Sequence, residues 1–150
     1  MKKPAAALLA LLAVACLSAT EADDLLVVSI ATDRTTLATG DTAHLVIALV
    51  NHADQSVTAP QASCGPYFFV RDSLGRAFAP PQSVCPTMTP PTFAIAAHDS
   101  VLLGARWAGE ARTATGGVDR LDPGSYSVYA VLLGTHRPVQ SRSVAIKLLP

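Results

Sequence analysis

The chain alternates short runs of β-branched and aliphatic residues with Gly, Pro, Asn and Asp turn signals along most of its length. Residues 43–50 and 125–133 are two long runs in which apolar residues recur at every second position. After residue 24, no segment carries the sustained 3.6-residue apolar period of a helix. About eight strands, at the spacing of roughly 8–12 residues that is typical of sandwiches, are expected. We therefore predict one all-β, antiparallel sandwich domain over residues 25–150.

The first fifteen residues have the pattern of an export signal. Lys2 and Lys3 precede an uninterrupted apolar run over residues 4–14. A positive start followed by a short apolar stretch is typical of a signal peptide, and this run is too short to span a bilayer comfortably. We interpret residues 1–15 as a cleaved signal peptide, which predicts that the protein is exported.

The cleavage point of this signal is open to three interpretations. An Ala-Val-Ala sequence stands directly before Cys16 and fits ordinary signal peptidase, and a later cut after Ala19 also fits. The same residues resemble a bacterial lipobox, in which the Cys becomes lipidated. We favour lipidation of Cys16, with residues 16–24 as a tether. This interpretation predicts a lipoprotein anchored to a membrane of the bacterial cell envelope.

The cysteine count agrees with an exported protein. The chain has three Cys residues, Cys16, Cys64 and Cys85. Exported proteins favour an even number of thiols. Whether Cys16 carries a lipid or is lost with a longer signal peptide, Cys64 and Cys85 are left to pair. Their disulfide would close a loop of about 21 residues and stabilise the fold by roughly 3 kcal/mol.

Charge and motifs argue against several classes of function. The 11 Lys and Arg residues balance the 11 Asp and Glu residues, so there is no basic excess to neutralise the phosphates of a nucleic acid. The four His residues lack metal-ligand spacing, and neither a G-x-S-x-G motif nor a phosphate-binding glycine loop occurs. We expect no enzyme activity, no catalytic residue, no metal, no cofactor and no nucleic-acid partner.

One local pattern sharpens the fold class. Residues 121–128 read L-x-P-G-x-Y-x-V. This resembles the tyrosine corner of immunoglobulin-like sandwiches, in which a Tyr hydroxyl bonds back to the upstream backbone. The alternative is an ordinary hairpin with a surface Tyr. Because Tyr126 shares an apolar strand face with Val128 and Ala130, we predict the corner, with the hydroxyl bonded near residues 116–122.

A wider resemblance suggests a function. Residues 67–76 read Y-F-F-V-R-D-S-L-G-R and resemble the aromatic hairpin of the intracellular proteinase inhibitor (BsuPI-type) family. A strand that ends at Asn51, a strand that ends at Trp107 and the L-x-P-G-x-Y-x-V segment lie in the same order as in that family. The resemblance covers about residues 35–150. It implies an immunoglobulin-like sandwich whose partner is a protein, as a protease is for an inhibitor.

Two functional hypotheses result. In the first, the protein is an exported, lipid-anchored, non-catalytic binding domain of the proteinase-inhibitor type. Its candidate inhibitory loop is formed by Pro86, Thr87, Met88, Thr89 and Pro90, because a stiff, preorganised loop loses little entropy on binding. In the alternative, the protein is a structural or protein-interaction module of the cell envelope without inhibitory activity, and the loop only caps the sandwich. An exposed loop favours the first hypothesis, and a buried Met88 favours the second.

Overall fold

Short strands joined by turns make up the part of the chain that the structure describes. The computed structural model describes residues 25–60, 67–81, 92–132 and 138–150. These ranges form thirteen β-strands and no α-helix, and they hold no helix long and apolar enough to cross a membrane. The strands are β1 (Leu26–Thr32), β2 (Thr36–Leu37), β3 (Ala43–Asn51), β4 (Val57–Pro60), β5 (Phe68–Asp72), β6 (Ala77–Phe78), β7 (Thr92–Ile95), β8 (Ser100–Trp107), β9 (Glu110–Arg112), β10 (Val118–Arg120), β11 (Gly124–Leu132), β12 (Val139–Gln140) and β13 (Val144–Leu148).

Two sheets form the layers of the sandwich. The smaller sheet has the order β1-β3-β8, and the larger has the order β2-β13-β11-β5-β6, with β12 added beside β11. Their strand pairs are antiparallel except β2–β13, which is parallel. In the immunoglobulin fold, strands A, B and E share one sheet and strands G, F and C share the other. The orders β1-β3-β8 and β13-β11-β5 correspond to these, so the predicted all-β, immunoglobulin-like sandwich is confirmed.

The core lies between the two sheets and follows the alternation of the strands. In β3, Leu45, Ile47 and Leu49 point inward, and each is 1% exposed. Val128 of β11 and Ile146 of β13 belong to the same buried cluster. Full burial of an aliphatic side chain of this size contributes about 1.5–3 kcal/mol. Burial of these side chains therefore determines which face of each strand turns inward.

The described residues form thirteen strands instead of the expected eight or so, and two segments account for part of this difference. Residues 109–120 are polar and contain Gly, which predicts a loop. The structure has the short hairpin β9–β10 there, because Gly116 adopts a φ of 86° that closes the turn. The sequence also predicts one strand over residues 139–148, and the structure divides this segment into β12 and β13. At the break, the Ser141 hydroxyl accepts a hydrogen bond from the Ala130 N–H at 2.9 Å. A side chain thus replaces the backbone carbonyl as the partner of β11.

The buried side chain of Asn51 joins the loop after β3 to the end of β7. Asn51 is 0% exposed and ends β3. Its Nδ2 lies 2.9, 3.1 and 2.9 Å from the carbonyl oxygens of Gln55, Ile95 and Ala96, and its Oδ1 accepts a hydrogen bond from the Ala53 N–H at 2.9 Å. Buried polar groups are tolerated when they are bonded in this way. The Asn side chain therefore ties the end of β3 to the segment before β8.

The predicted aromatic hairpin is present as β5–β6. Gly75 has a φ of 83° in its turn, and the Gly75 N–H donates to the Asp72 carbonyl at 3.1 Å. The Asp72 carboxylate accepts hydrogen bonds from the N–H groups of Leu74 and Arg76 and from Nε of Arg76. Burial opposes ionisation of Asp72, but these bonds and the Arg76 charge lower the pKa of Asp72 below its usual value. The carboxylate thus stabilises the turn together with the positive φ of Gly75.

Candidate functional site

Most of the site residues predicted from the sequence lie outside the described residues. These are Cys16, Cys64 and Cys85 and the loop over residues 86–90, and the signal peptide and tether over residues 1–24 lie outside as well. Lipidation, the disulfide and the candidate inhibitory loop therefore stay predictions.

Tyr126 lies near the start of β11 and has the geometry of a tyrosine corner. Its side chain is 8% exposed, and its hydroxyl donates to the Asp122 carbonyl at 2.8 Å, within the segment that we expected. The indole of Trp107 meets the ring edge to face, with centroids 6.1 Å apart, and its Nε1 donates to the Glu110 carbonyl at 2.9 Å. Burial, together with the charges of Asp122 and Asp72, raises the pKa of Tyr126. This arrangement stabilises the fold.

The ionisable side chains of the described residues are scattered over the surface. Within the described ranges, no group of three or more His, Cys, Asp or Glu residues could hold a metal ion. His98 Nε2 lies 2.8 Å from Asp54 Oδ1, with side chains that are 62% and 99% exposed. An ion pair this exposed contributes little to stability. The outer surface of the smaller sheet is a stronger candidate for a functional site than these scattered ionisable groups.

The smaller sheet carries a continuous aliphatic surface on the side away from the core. We define this outer face by Val27 of β1, Val46, Ala48 and Val50 of β3, and Leu102 of β8. Val27 and Val46 are each 46% exposed, and Leu102 is 68% exposed. In the strand register, Val27 lies opposite Val50, and Ala48 lies opposite Leu102, so the side chains are neighbours. A contiguous exposed apolar patch is a candidate interaction site.

The outer face follows from the sequence of β3. Side chains alternate between the two faces of a strand, and β3 is apolar at both sets of positions except at His44 and Asn51. The sequence predicts a central strand from this pattern, and β3 does lie between β1 and β8. We did not identify the outer face from the sequence. The signal was present in Val46, Ala48 and Val50, but a strand covered on both sides has the same pattern.

Gly104 leaves a notch in the outer face. Gly104 lies directly opposite Val46, and a Cβ atom placed on it would meet no atom within 4 Å. A shallow depression at this point is lined by His44, Val46, Gly104 and Arg106. Because side chains on one strand face are two residues apart, Leu102 and Arg106 stand on either side of the missing side chain. The outer face therefore combines a protruding Leu with an adjacent notch.

The rim of the outer face is polar and partly basic. His44 lies opposite Arg106 at one end, and Ser100 lies opposite Val50 at the other. The side chains of His44, Ser100 and Arg106 are exposed. An aliphatic centre with a polar rim is the usual arrangement of a protein-binding surface. This geometry suits association with apolar side chains of a partner.

The outer face of the larger sheet is built differently. Tyr129 of β11 lies opposite Phe69 of β5, and their rings stack with centroids 6.1 Å apart. The guanidinium carbon of Arg71 lies 5.0 Å from the centre of the Tyr129 ring, a cation–π contact. Tyr129 is 7% exposed, although it points away from the core between the sheets. This sheet therefore shields its aromatic surface with its own side chains.

Comparison with known proteins gives only distant structural similarity. No protein-family model and no curated protein matches the sequence. The chain is similar to the β-glucosidase EmGH1 from Erythrobacter marinus, at 12% identity and a TM-score of 0.49, over 83% of this chain and 16% of that one. It is also similar to the Pseudomonas fluorescens alkylpurine DNA glycosylase AlkC, solved with DNA containing an abasic site analog. For that protein the identity is 13% and the TM-score 0.49, over 84% of this chain and 31% of that one.

A third similar structure is a β-glucosidase from Listeria innocua in complex with glucose. The identity is 11% and the TM-score 0.44, over 83% of this chain and 16% of that one. The chain thus spans less than a third of the length of each of these three proteins. Similarity at this level does not assign an activity to the chain.

Proposed function

We propose that this chain is a non-catalytic, protein-binding domain that is exported, anchored to the cell envelope through a lipid on Cys16, and bound to its partner through the outer face. The observation that carries the proposal is the exposure of Val27, Val46 and Leu102 on one sheet face, where the half-buried Ala48 and Val50 connect them into one patch. Covering aliphatic surface with a partner returns about 25 cal/mol for each Å² removed from water. Because this surface is exposed in the free chain, the free energy of removing it from water becomes available when a partner binds.

The rigidity of the sheet supports the same proposal. Directly behind the outer face, Leu45, Ile47 and Leu49 are buried in the core. An unbroken ladder from Ala43–Trp107 to Val50–Ser100 holds β3 against β8. A surface built on packed strands is already ordered, so little conformational entropy is lost when a partner binds.

The nature of the partner rests on the family resemblance. The resemblance of residues 67–76 to proteinase inhibitors favours a protease as partner, with residues 86–90 as the inhibitory loop. The outer face favours the alternative, an interaction module of the cell envelope without inhibitory activity, because it forms a binding surface that does not need this loop. Both candidates share a protein partner and the absence of catalysis.

Site-specific crosslinking tests the use of the outer face. A photoreactive amino acid at position 46 of the full chain, expressed in bacteria and illuminated in the cell envelope, should give discrete protein adducts. The matched control carries the same group at the exposed position of Lys147 in β13, in the other sheet. Adducts from position 46 that are absent from position 147 support the proposal. Absence of adducts at position 46, or equal adducts at both positions, contradicts it.

An inhibition assay separates the two candidate functions. The purified mature chain is titrated against serine, cysteine and metalloproteases, together with the variants Met88→Asp and Val46→Asp. Inhibition that is lost only in Met88→Asp supports a loop-based inhibitor. Inhibition that is lost only in Val46→Asp supports contact through the outer face. A chain that inhibits none of these proteases is the result expected for the non-inhibitory interaction module.

A further inference from the structure

We propose that β8 pairs through its free edge with β8 of a second copy of this chain, antiparallel, so that Leu102 of each copy seats over Gly104 of the other. This goes beyond the binding function proposed for the outer face, because it assigns an occupant to the strand edge rather than to the face. Three features of β8 support this pairing, namely its backbone, the shape of its side chains and the charges at its ends.

One edge of β8 has backbone hydrogen-bonding groups that no other strand of the described residues pairs. Among the described residues, β8 is the last strand of its sheet. The Asn51 N–H donates to the Asp99 carbonyl at 2.9 Å, which continues the register between β3 and β8. Because hydrogen bonding alternates along an antiparallel strand, odd-numbered residues face β3. The N–H and C=O groups of Leu102 and Gly104 therefore point to the free edge, where they can pair with another strand.

The side chains of β8 complement those of an antiparallel copy. Leu102 is 68% exposed, and the notch at Gly104 lies two residues away on the same face. A two-fold axis through Leu103 places Leu102 of each copy opposite Gly104 of the other, so each protruding side chain meets a notch. Directly opposite positions have Cβ atoms about 5 Å apart. The contact is thus self-complementary, as a two-fold interface requires.

The backbone permits the register centred on Leu103, and the side chains distinguish it from the neighbouring registers. With the axis at Leu103, each Leu102–Gly104 pair joins two residues whose N–H and C=O groups both face the free edge, so each pair exchanges two hydrogen bonds. An axis at Leu102 would place the two Leu102 side chains against each other. An axis at Gly104 would place Leu102 opposite Arg106. Both of these registers leave the notch without a Leu side chain.

The charges at the ends of β8 also fit this arrangement. The Asp99 carboxylate accepts a hydrogen bond from the Ser100 N–H at 2.7 Å. Ser100 is even-numbered, so its N–H and the carboxylate bound to it lie at the free edge. Arg106, which is exposed, lies near the other end of the strand. In the antiparallel pair Arg106 of one copy stands opposite Ser100 and beside Asp99 of the other, so opposite charges meet at both ends.

The small area of the contact predicts a weak, concentration-dependent dimer. A single strand edge buries less than the roughly 1,600 Å² of a standard interface, so we expect a reversible dimer whose population rises with concentration. Sedimentation velocity over a concentration series, on the mature chain carrying Cys16→Ser to prevent lipidation, should show this equilibrium. A chain that stays monomeric throughout the series overturns the proposal.

Two substitutions locate the interface. Leu102→Lys removes the protruding side chain from an exposed position and should weaken dimerisation at least about tenfold, because it places a charge against the opposing strand. The matched control, Val27→Lys, lies on the outer face at the opposite strand β1 and should dimerise like the wild type. Loss of the dimer in Val27→Lys, or its survival in Leu102→Lys, would assign association to another surface and refute the edge pairing.

Cysteine trapping tests the register. With the axis at Leu103, two copies of Leu103→Cys form a non-hydrogen-bonded pair with Cα atoms about 4.5 Å apart, within disulfide range. Val101→Cys points to the same side of β8 but lies opposite Ala105 of the other copy, so it should not crosslink. Both variants are made with Cys16→Ser, Cys64→Ala and Cys85→Ala, and circular dichroism checks that they fold. Selective trapping at position 103 supports the register, and equal or reversed trapping refutes it.

Discussion

The outer faces of the two sheets differ in whether their apolar side chains are covered by other side chains of the chain. On the larger sheet, Tyr129 points away from the core yet is 7% exposed, because Phe69 stacks beside it and Arg71 lies over its ring. On the smaller sheet, Leu102 occupies an equally outward position and is 68% exposed, and Val46 beside it is 46% exposed. The central strand of each sheet thus presents apolar side chains on both faces, and only one sheet covers its outer set.

The difference separates side chains that stabilise the fold from side chains that are available for binding. An apolar group covered within the chain gains its transfer free energy on folding. An apolar group left exposed gains that free energy only when a partner covers it. By this criterion the Phe69–Arg71–Tyr129 cluster contributes to stability, and the outer face of the smaller sheet is the surface that we propose for association.

The largest expected effect compares truncation on the two faces. Tyr129→Ala should lower the free energy of unfolding by about 3 kcal/mol, because it removes a covered aromatic ring and leaves a cavity. Leu102→Ala should change it by less than about 0.5 kcal/mol, since this side chain is exposed. Urea denaturation of the two variants with the wild type measures both values. Similar losses in both variants would remove the distinction between the two faces.

A position between the two sheets gives an intermediate effect. Tyr126→Phe keeps the buried ring but leaves the Asp122 carbonyl without its donor, which should cost about 1–3 kcal/mol. Denaturation at equal slope checks this value. A variant as stable as the wild type would show that the hydroxyl contributes nothing and that the tyrosine corner is not a source of stability.

The same residue predicts a pH dependence. Burial raises the pKa of Tyr126 in the folded chain, and the unfolded value is about 10. Folding therefore favours the neutral phenol, so this stabilisation is complete below pH 10 and is lost as the pH rises through the folded pKa. The difference in stability between the wild type and Tyr126→Phe should shrink above about pH 10. A difference that grows with pH in this range contradicts the assignment.

The smallest expected effect concerns the two arginines. Arg71→Ala should cost about 0.5–1 kcal/mol, because it removes the cation–π contact and uncovers the Tyr129 ring. Arg106→Ala, on the rim of the other face, should leave the free energy of unfolding within about 0.5 kcal/mol of the wild type. Thermal denaturation at matched pH and salt compares the pair. A larger loss in Arg106→Ala than in Arg71→Ala would reverse the comparison.

Local sequence signals were sufficient for those parts of the fold that depend on neighbouring residues. The Asp and Gly turn of β5–β6 could be predicted because Asp72 bonds to residues two and four positions away. Tyr126 could be placed because its hydroxyl reaches a carbonyl only four residues upstream. By contrast, the break between β12 and β13 depends on the hydrogen bond between the Ser141 hydroxyl and the Ala130 N–H of another strand. No local sequence pattern predicts this bond.

The amino-acid sequence by itself determined the fold class and its main elements. Alternation of apolar residues in β3, β8 and β11, together with Gly and Pro at the turns, leaves a sandwich as the arrangement that buries one face of each strand. These signals act over two to four residues, so they can be read along the chain.

Only the tertiary structure decided which apolar face remains uncovered. Val46 and Tyr129 both belong to apolar strands, and each is followed by a further apolar residue. Whether such a side chain is exposed depends on what lies across the neighbouring strand. For Tyr129 this is Phe69, with Arg71 over the ring, and for Val46 it is Gly104, which has no side chain. Those partners lie more than fifty residues away in sequence, and pairing of the strands brings them together.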